Sequence, residues 1–355
     1  MNKKVLLGFV FVISGFVLGI HMVQAESQFP TVYKIEEGNV IFDATVEVPE
    51  KLDVDLLKRS TADKIQIDGE NAFEYFCNGQ NVAENHEDSS TGEFYRKLAD
   101  GSSFSYIPSG YIAYMSENIP YYSGAFRYYD NRGNYSQERE FEFASKETCV
   151  KEFVNIIDKA GYGKLSLDCN FYYLDSETMR NEEIHENAST GEIDSSKYKE
   201  SWNEEDNAYQ IYANQEFQGL PVYHSIKEMP EDDEVGCLIQ GLYSSRGFEK
   251  VAVMDAFNFN ETAEKIKLLP FEECAKIVSE KYNRILTESV FTVERVTLYQ
   301  YIERDNNTGK NQKVIPIWYF DICEKGKDTE NPEEKMMRDR VMLVNAETGE
   351  VIVTE

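Results

Sequence analysis

Two short segments of this 355-residue chain carry the same pattern, and that recurrence constrains its architecture more than any other feature. "ETCVK", Glu147 to Lys151, matches "EECAK", Glu272 to Lys276. In the first, Cys149, Val150, Phe153, Ile156, Ile157 and Ala160 recur at helical spacing; Ser145 is placed to cap the start and Gly161 to end the run. In the second, Phe271, Cys274, Ala275, Val278, Tyr282, Ile285 and Leu286 form the apolar stripe, and Pro270 suits a first turn. A Tyr-bearing strand follows each helix, "NFYYL" and "TLYQYI". A Pro-centred strand comes later in each, Leu220 to Tyr223 and Ile315 to Trp318. Each segment closes on strand, turn and strand. Cys149 to Pro221 is 72 residues and Cys274 to Pro316 is 42; the difference of 30 matches a polar stretch from Asp175 to Asp206 that reads as a solvated loop or insert. Four elements in matching order suggest an internal repeat.

The rest of the chain reads mainly as strand. In "NVIFDATVEVP", Val40, Phe42, Ala44, Val46 and Val48 alternate with more polar neighbours, the period of a half-buried strand. Glu84 to Thr91 reads as a polar loop, and Phe104 to Tyr135, rich in Tyr and broken by Gly and Pro, as several short strands with tight turns. "VIPIWYFDI" is apolar almost throughout, so a strand buried on both faces is expected there, with Trp318 inside. A polar turn, "RDNNTGKNQ", precedes it, and Glu324 to Arg338 reads as a charged loop. The chain closes on a hairpin, Val341 to Val344 and Val351 to Val353, around Gly349. These readings predict an α+β protein: a leader at 1–25, a mostly β domain at 26–142, and two tandem helix-on-antiparallel-sheet units at 143–262 and 263–355.

From Ser145 to Glu355 the order of a "GLPVY" strand, a hairpin, a helix, "VTLYQY", "VIPIWYF" and a closing "VNAETGEV" resembles PepSY-type modules and the exported domains of YycH/YycI-type regulators, which modulate a cell-wall sensor kinase. "IFDATVEVP" is similar to secreted families of unknown function from gut Firmicutes. The resemblance implies a curled antiparallel sheet under each helix and a regulatory role without catalytic residues. The residues before Ser145 lie outside it, and the leader carries a cleavage site where those regulators keep a membrane anchor.

That leader has Lys3 and Lys4, an apolar run from Val5 to Ile20, and small residues at Val23 and Ala25, the pattern of a secretory signal peptide cut before Glu26. The run is shorter than the roughly 20 apolar residues that span a bilayer, so membrane anchoring is expected only if the segment stays uncleaved. Cleavage leaves 330 residues and moves the net charge from −28 to −30, because two lysines and no acid depart. Such a surface repels nucleic acid and anionic lipid. Disorder, the other outcome of high charge, is opposed by 23 Tyr and 21 Phe. Export to an oxidising space permits disulfides among Cys77, Cys149, Cys169, Cys237, Cys274 and Cys323; buried free thiols are the alternative, and the spacing chooses no pairing.

Chemistry-bearing motifs are sparse. "HENAS" at His185 begins like a zinc helix but places Ser189 where the second histidine belongs, and His86 and His224 stand alone. There is no nucleophile elbow, phosphate loop or dinucleotide fingerprint. "DNNTGKN" at Asp305 meets Pro316 where a Ca²⁺ loop needs Glu. No catalytic, metal or cofactor-binding residue is assigned, and no cofactor is expected. The expected function is an exported, non-catalytic binding or regulatory protein of the bacterial envelope that engages a protein or peptide through its sheets. A secreted hydrolase acting on glycan or peptide is the alternative, and a structural envelope component a third reading.

Overall fold

The computed structural model describes residues 29–352 apart from 187–190, 224–238, 304–308 and 328–334. β1 (Val32–Glu37) and β2 (Val40–Glu47) form a hairpin over Gly38. In β2 Val40, Phe42, Ala44 and Val46 are buried and Asp43, Thr45 and Glu47 exposed, the alternation the sequence shows. β3 (Lys58–Lys64) leads to α1 (Gly69–Cys77), capped by the Asp68 carboxylate, which accepts from the Glu70 and Asn71 N–H groups. β4 (Val82–Asp88), β5 (Glu93–Leu98), β6 (Ser103–Ile107) and β7 (Tyr111–Met115) make an antiparallel meander. Two short helices follow, α2 (Ile119–Ala125) and α3 (Tyr128–Asn131).

α4 (Lys146–Ile157) begins where Ser145 Oγ accepts from the Thr148 N–H. It runs into a wide turn in which Gly161, at φ 108°, reverses the chain. Then come β8 (Leu167–Leu174), α5 (Ser176–Glu182), β9 (Ala208–Phe217), β10 (Leu220–Tyr223), β11 (Ile239–Ser244), β12 (Gly247–Val253) and β13 (Phe257–Lys265). α6 (Phe271–Asn283) precedes β14 (Val290–Glu303), β15 (Gln312–Lys327), β16 (Lys335–Asn345) and β17 (Val351–Ile352). None of the described helices is long and apolar enough to cross a membrane.

The strands join in one mixed sheet of 17, which overturns the expected α+β fold of a β domain followed by two tandem helix-on-sheet units. The reason lies in the pairing. One half of the sheet runs β8–β9–β11–β12–β7–β6–β5–β4, all antiparallel. In the other, β1–β2–β14–β15–β16–β17 lie side by side; β10 continues beside β14, and β3, flanked by β13, pairs with the start of β15. The β9–β10 hairpin links the halves. Strands between residues 26 and 142 are thus dealt to both halves. β2 lies parallel to β14, and β7 antiparallel to β12. Periodicity reports which side chains are buried; it does not report which strands meet.

α6 buries Phe271, Cys274, Val278 and Tyr282 against a core that includes Phe42, Phe291, Trp318 and Phe320. α4 buries Cys149, Phe153 and Ile157 against Tyr209, Ile211 and Val251. Gly241 in β11 allows that seating, since a Cβ there would stand 2.7 Å from the Phe153 ring. The apolar "VIPIWYFDI" run is β15, and Trp318 is fully buried, as its sequence predicts. The closing hairpin forms too, with Gly349 at φ 76° donating its N–H to the Asn345 carbonyl at 2.8 Å.

Several local expectations are corrected. Glu84 to Thr91 is largely strand: β4 is an edge strand whose residues 82–87 are all exposed, so it has no apolar face to betray it. The Tyr-rich stretch turns helical at α2 and α3. Asp175 to Asp206 is built around a buried core where it is described: Trp202 donates from Nε1 to Glu183 Oε2 at 2.7 Å, and His185 Nε2 lies 2.9 Å from Glu183 Oε1. Pro270 caps α6 from one residue earlier than expected. Ile285 and Leu286 fall beyond its end, exposed. Residues at both ends of the expected charged loop extend β15 and β16.

Candidate functional site: a cleft at the sheet junction

Each half of the sheet gives one face to a long helix, and the opposite faces meet at the junction. On β14, Val293, Val296 and Leu298 pack toward α6. A register irregularity after Val293 then places Arg295, Thr297 and Tyr299 on a cleft of about 990 Å³. Glu47 of β2, paired with Thr297, joins them on this wall. The facing wall is supplied by Asp168 and Asn170 of β8 and Asn214 and Glu216 of β9. Asp168 and Asn214 are direct cross-strand partners. Glu50, Lys51, Gly219 and Pro221 also line the space.

The junction is held by side chains that imitate a sheet ladder. The Gln215 amide donates to the Phe257 carbonyl at 2.9 Å and accepts from the Phe257 N–H at 2.8 Å. Gln218, at φ 53° in the β9–β10 turn, accepts from the Lys58 N–H at 3.1 Å and donates to the Lys58 carbonyl at 3.3 Å. These bonds fix β9 to β13 and the turn to β3, so the walls are set before any ligand arrives.

The walls differ electrostatically. On the β14 side the polar groups are mutually engaged: Thr297 Oγ1 donates to Glu47 Oε2 at 3.0 Å, and Arg295 Nη2 to Asp321 Oδ2 at 3.2 Å. Burial works against the Arg295 charge, but Asp321 and Glu47 outweigh it and hold the guanidinium above its ordinary pKa. Behind this wall Tyr299 packs with Tyr223 and Tyr319 at ring separations of 5.5 and 6.0 Å. On the β8–β9 side the Asp168 carboxyl is raised above its ordinary value by desolvation alone, with no described donor or cation beside it. Asp168 is nonetheless an exposed residue, and the cleft walls strip only part of its hydration. Asn214 Oδ1 is buried without a hydrogen-bond partner.

The histidines weighed in the sequence do not enter this cleft. His86 is exposed on β4, His185 belongs to the Glu183 cluster, and His224 lies outside the described residues. Among the described residues no group of three or more His, Cys, Asp or Glu is arranged to hold a metal ion. Cys77, Cys149, Cys274 and Cys323 are free thiols, and Cys237 lies outside the described residues. Sequence reasoning missed Asp168, Asn214 and Glu216. In β8 the signal was present, since Asp168 and Asn170 alternate with Leu167, Cys169 and Phe171; in β9 the polar run Asn214, Gln215 and Glu216 hides the alternation, and only the fold shows which of these positions face a cleft.

No family model matches the chain, and no curated protein does. A solved structure, that of an uncharacterized protein from Eubacterium rectale ATCC 33656, is similar over 92% of this chain and 94% of its own, at 13% identity and a TM-score of 0.62. The likeness is one of fold.

Proposed function

We propose that the protein is an exported, non-catalytic binding protein of the bacterial cell envelope that holds a segment of a protein or peptide partner in the junction cleft. The observation that carries the reading is the junction cleft itself, where the exposed side chains of Asp168 and Asn170 on β8 share one space with Arg295, Thr297 and Tyr299 of β14. A cleft of about 990 Å³ suits a few residues of extended chain.

The test is capture from an envelope extract by the immobilised chain and by Asn170→Trp, which fills the cleft from an exposed position. A partner held by the wild type and lost by Asn170→Trp, at equal melting temperature, supports the reading. Equal capture by both, or capture by neither, removes it.

Asp168 also favours a second reading, a hydrolase of glycan or peptide. A carboxyl whose pKa is raised by desolvation, in a cleft that Glu47, Glu50 and Glu216 also line, has the tendency a general acid needs. Turnover of glycan or peptide substrates that vanishes in Asp168→Asn would establish it in place of the first.

A further inference from the structure

We infer that Asn78 is a site of spontaneous covalent modification, at which the Gly79 nitrogen closes a succinimide ring on the Asn78 side chain of the folded protein. Three steps along the chain join Asn or Asp to Gly, the pairing in which no Cβ on the second residue hinders such a ring: Asp68–Gly69, Asn78–Gly79 and Asp100–Gly101. The fold disarms two of them and leaves the third open.

At Asp68 the carboxylate caps α1. Its Oδ1 accepts from the Glu70 and Asn71 N–H groups at 3.1 and 3.2 Å, and its Oδ2 from Asn71 Nδ2 at 2.8 Å. Gly69 lies under the Tyr106 ring, where an added Cβ would stand 1.9 Å from a ring carbon, so the chain there has no room to turn. At Asp100, Oδ1 accepts from the Ser102 N–H at 2.9 Å and the Ser102 hydroxyl at 2.6 Å, and the Gly101 N–H donates to the Leu98 carbonyl at 3.0 Å. The Ser102 bonds hold the Asp100 carboxyl below its ordinary pKa, and an ionised carboxylate resists attack by a nucleophile. Asn78 has none of these restraints. It follows the last residue of α1 at φ −53° and ψ 123°, outside the helix, and both it and Gly79 are exposed. Among the described residues neither the Asn78 side chain nor the Gly79 N–H makes a hydrogen bond. Nothing stands within 4 Å of the place a Gly79 Cβ would take.

Hydroxide removes the Gly79 N–H proton, and the nitrogen attacks Asn78 Cγ. The new C–N bond forms, the Cγ–Nδ2 bond breaks and ammonia leaves. Water then opens the ring. Addition at Cγ gives aspartate; addition at the Asn78 backbone carbonyl carbon gives isoaspartate, with the main chain routed through the former side chain. The sum is one water consumed and one ammonia released, without oxidant or cofactor. Either product sets a new carboxylate at the C-terminal end of α1, where the helix dipole opposes it.

The experiment incubates the full chain at pH 8.5 and 37 °C, folded and in guanidinium chloride, with Asn78→Gln alongside. Released ammonia is assayed, and digests are mapped by mass spectrometry, with isoaspartate recognised by its resistance to Asp-N protease. The folded wild type should release an equivalent of ammonia more than Asn78→Gln, and the peptide holding residue 78 should gain the mass of OH less that of NH2. Folding should slow this site by less than about tenfold, which corresponds to about 1.4 kcal/mol of barrier. Asp68 and Asp100 should isomerise in denaturant and be slowed by more than that factor on folding. Conversion of Asn78 in denaturant alone would overturn the inference, as would Asp68 or Asp100 isomerising in the folded chain as freely as in denaturant.

Discussion

The ring of Phe29 meets the indole of Trp318 edge to face, with centroids 5.3 Å apart and planes at 76°. The contact ties the first described residue to the middle of the longest buried strand, and Phe271 of α6 approaches the same indole at 5.0 Å. Three segments distant in sequence therefore share one side chain. Trp318→Ala should lose about 3–5 kcal/mol of stability, and Phe29→Ala less, because it removes one of the two rings set against the indole and leaves Phe271 in place. Urea unfolding followed by circular dichroism gives both values. A Trp318→Ala midpoint equal to wild type would show that the core does not depend on this contact.

Arg246 is the hub of a second, polar core. Its guanidinium reaches Glu249 Oε1 at 2.7 Å, Asp206 Oδ1 at 3.1 Å and the Tyr122 hydroxyl at 2.9 Å. Asp206 is also paired with Lys199, and Glu249 accepts from Ser116, Ser244 and Asn118. Arg246→Ala takes from Glu249 the cation it is paired with and leaves Asp206 with Lys199. We expect a loss of about 3 kcal/mol, the lower end for breaking a buried pair, because the Arg246 side chain keeps 36% of its surface. Differential scanning calorimetry at neutral pH measures it, and an unchanged melting temperature would contradict the network's role.

The same carboxylates set the acid limb of stability. Burial alone would raise Asp206 and Glu249, but the donors around them outweigh it and hold both below the usual range. Their contribution is complete above the unfolded carboxylate values near 4 and is lost as pH falls through the lower folded values. Melting temperature should be flat above about pH 5 and fall steeply below about pH 4. Arg246→Ala should fall less steeply, since it has less to lose; an equal slope would place the acid sensitivity elsewhere.

Asp168 carries the opposite sign. Its folded pKa is raised by burial, so the anion costs stability above the unfolded value and nothing once both states are protonated. Asp168→Asn should therefore melt higher than wild type at pH 7, and the gap should close as pH drops below 4. A variant less stable at pH 7 would mean that the carboxylate supports the fold and is not held in reserve for a ligand.

Buried thiols offer a check on both cores. Burial pushes Cys77 up to about 12 and Cys274 to about 11. Neither should react with iodoacetamide at pH 8 in the native chain, and both should react fully in urea. Mass mapping of the labelled peptides decides it.

What the sequence made legible is local. The stripe of α4, the cap at Ser145, the alternation of β2 and the apolar run of β15 each follow from a period or a turn residue that needs no distant partner. What it hid has two physical causes. Exposed edge strands such as β4 bury no face, and the Asp175–Asp206 stretch packs its few apolar residues around polar groups, Glu183 and Asp206, that read as solvated. The larger miss, one mixed sheet in place of tandem units, arose because pairing is a long-range property. The cleft was hidden for the same reason: Glu47, Asp168, Asn214 and Arg295 converge only when the sheet is complete.

That long-range pairing sets an order of events. Glu47 of β2 meets its hydrogen-bond partner Thr297 of β14 across 250 residues of chain. β2 is made well before β14 and must wait for it before its outer edge is covered. Local hairpins can close early, but neither wall of the cleft is fixed in place until the last third of the chain has been made, and loops of that span close slowly. The sequence in which this molecule is built is not the sequence in which it can fold, and a truncation at the C-terminus strands the N-terminus as well.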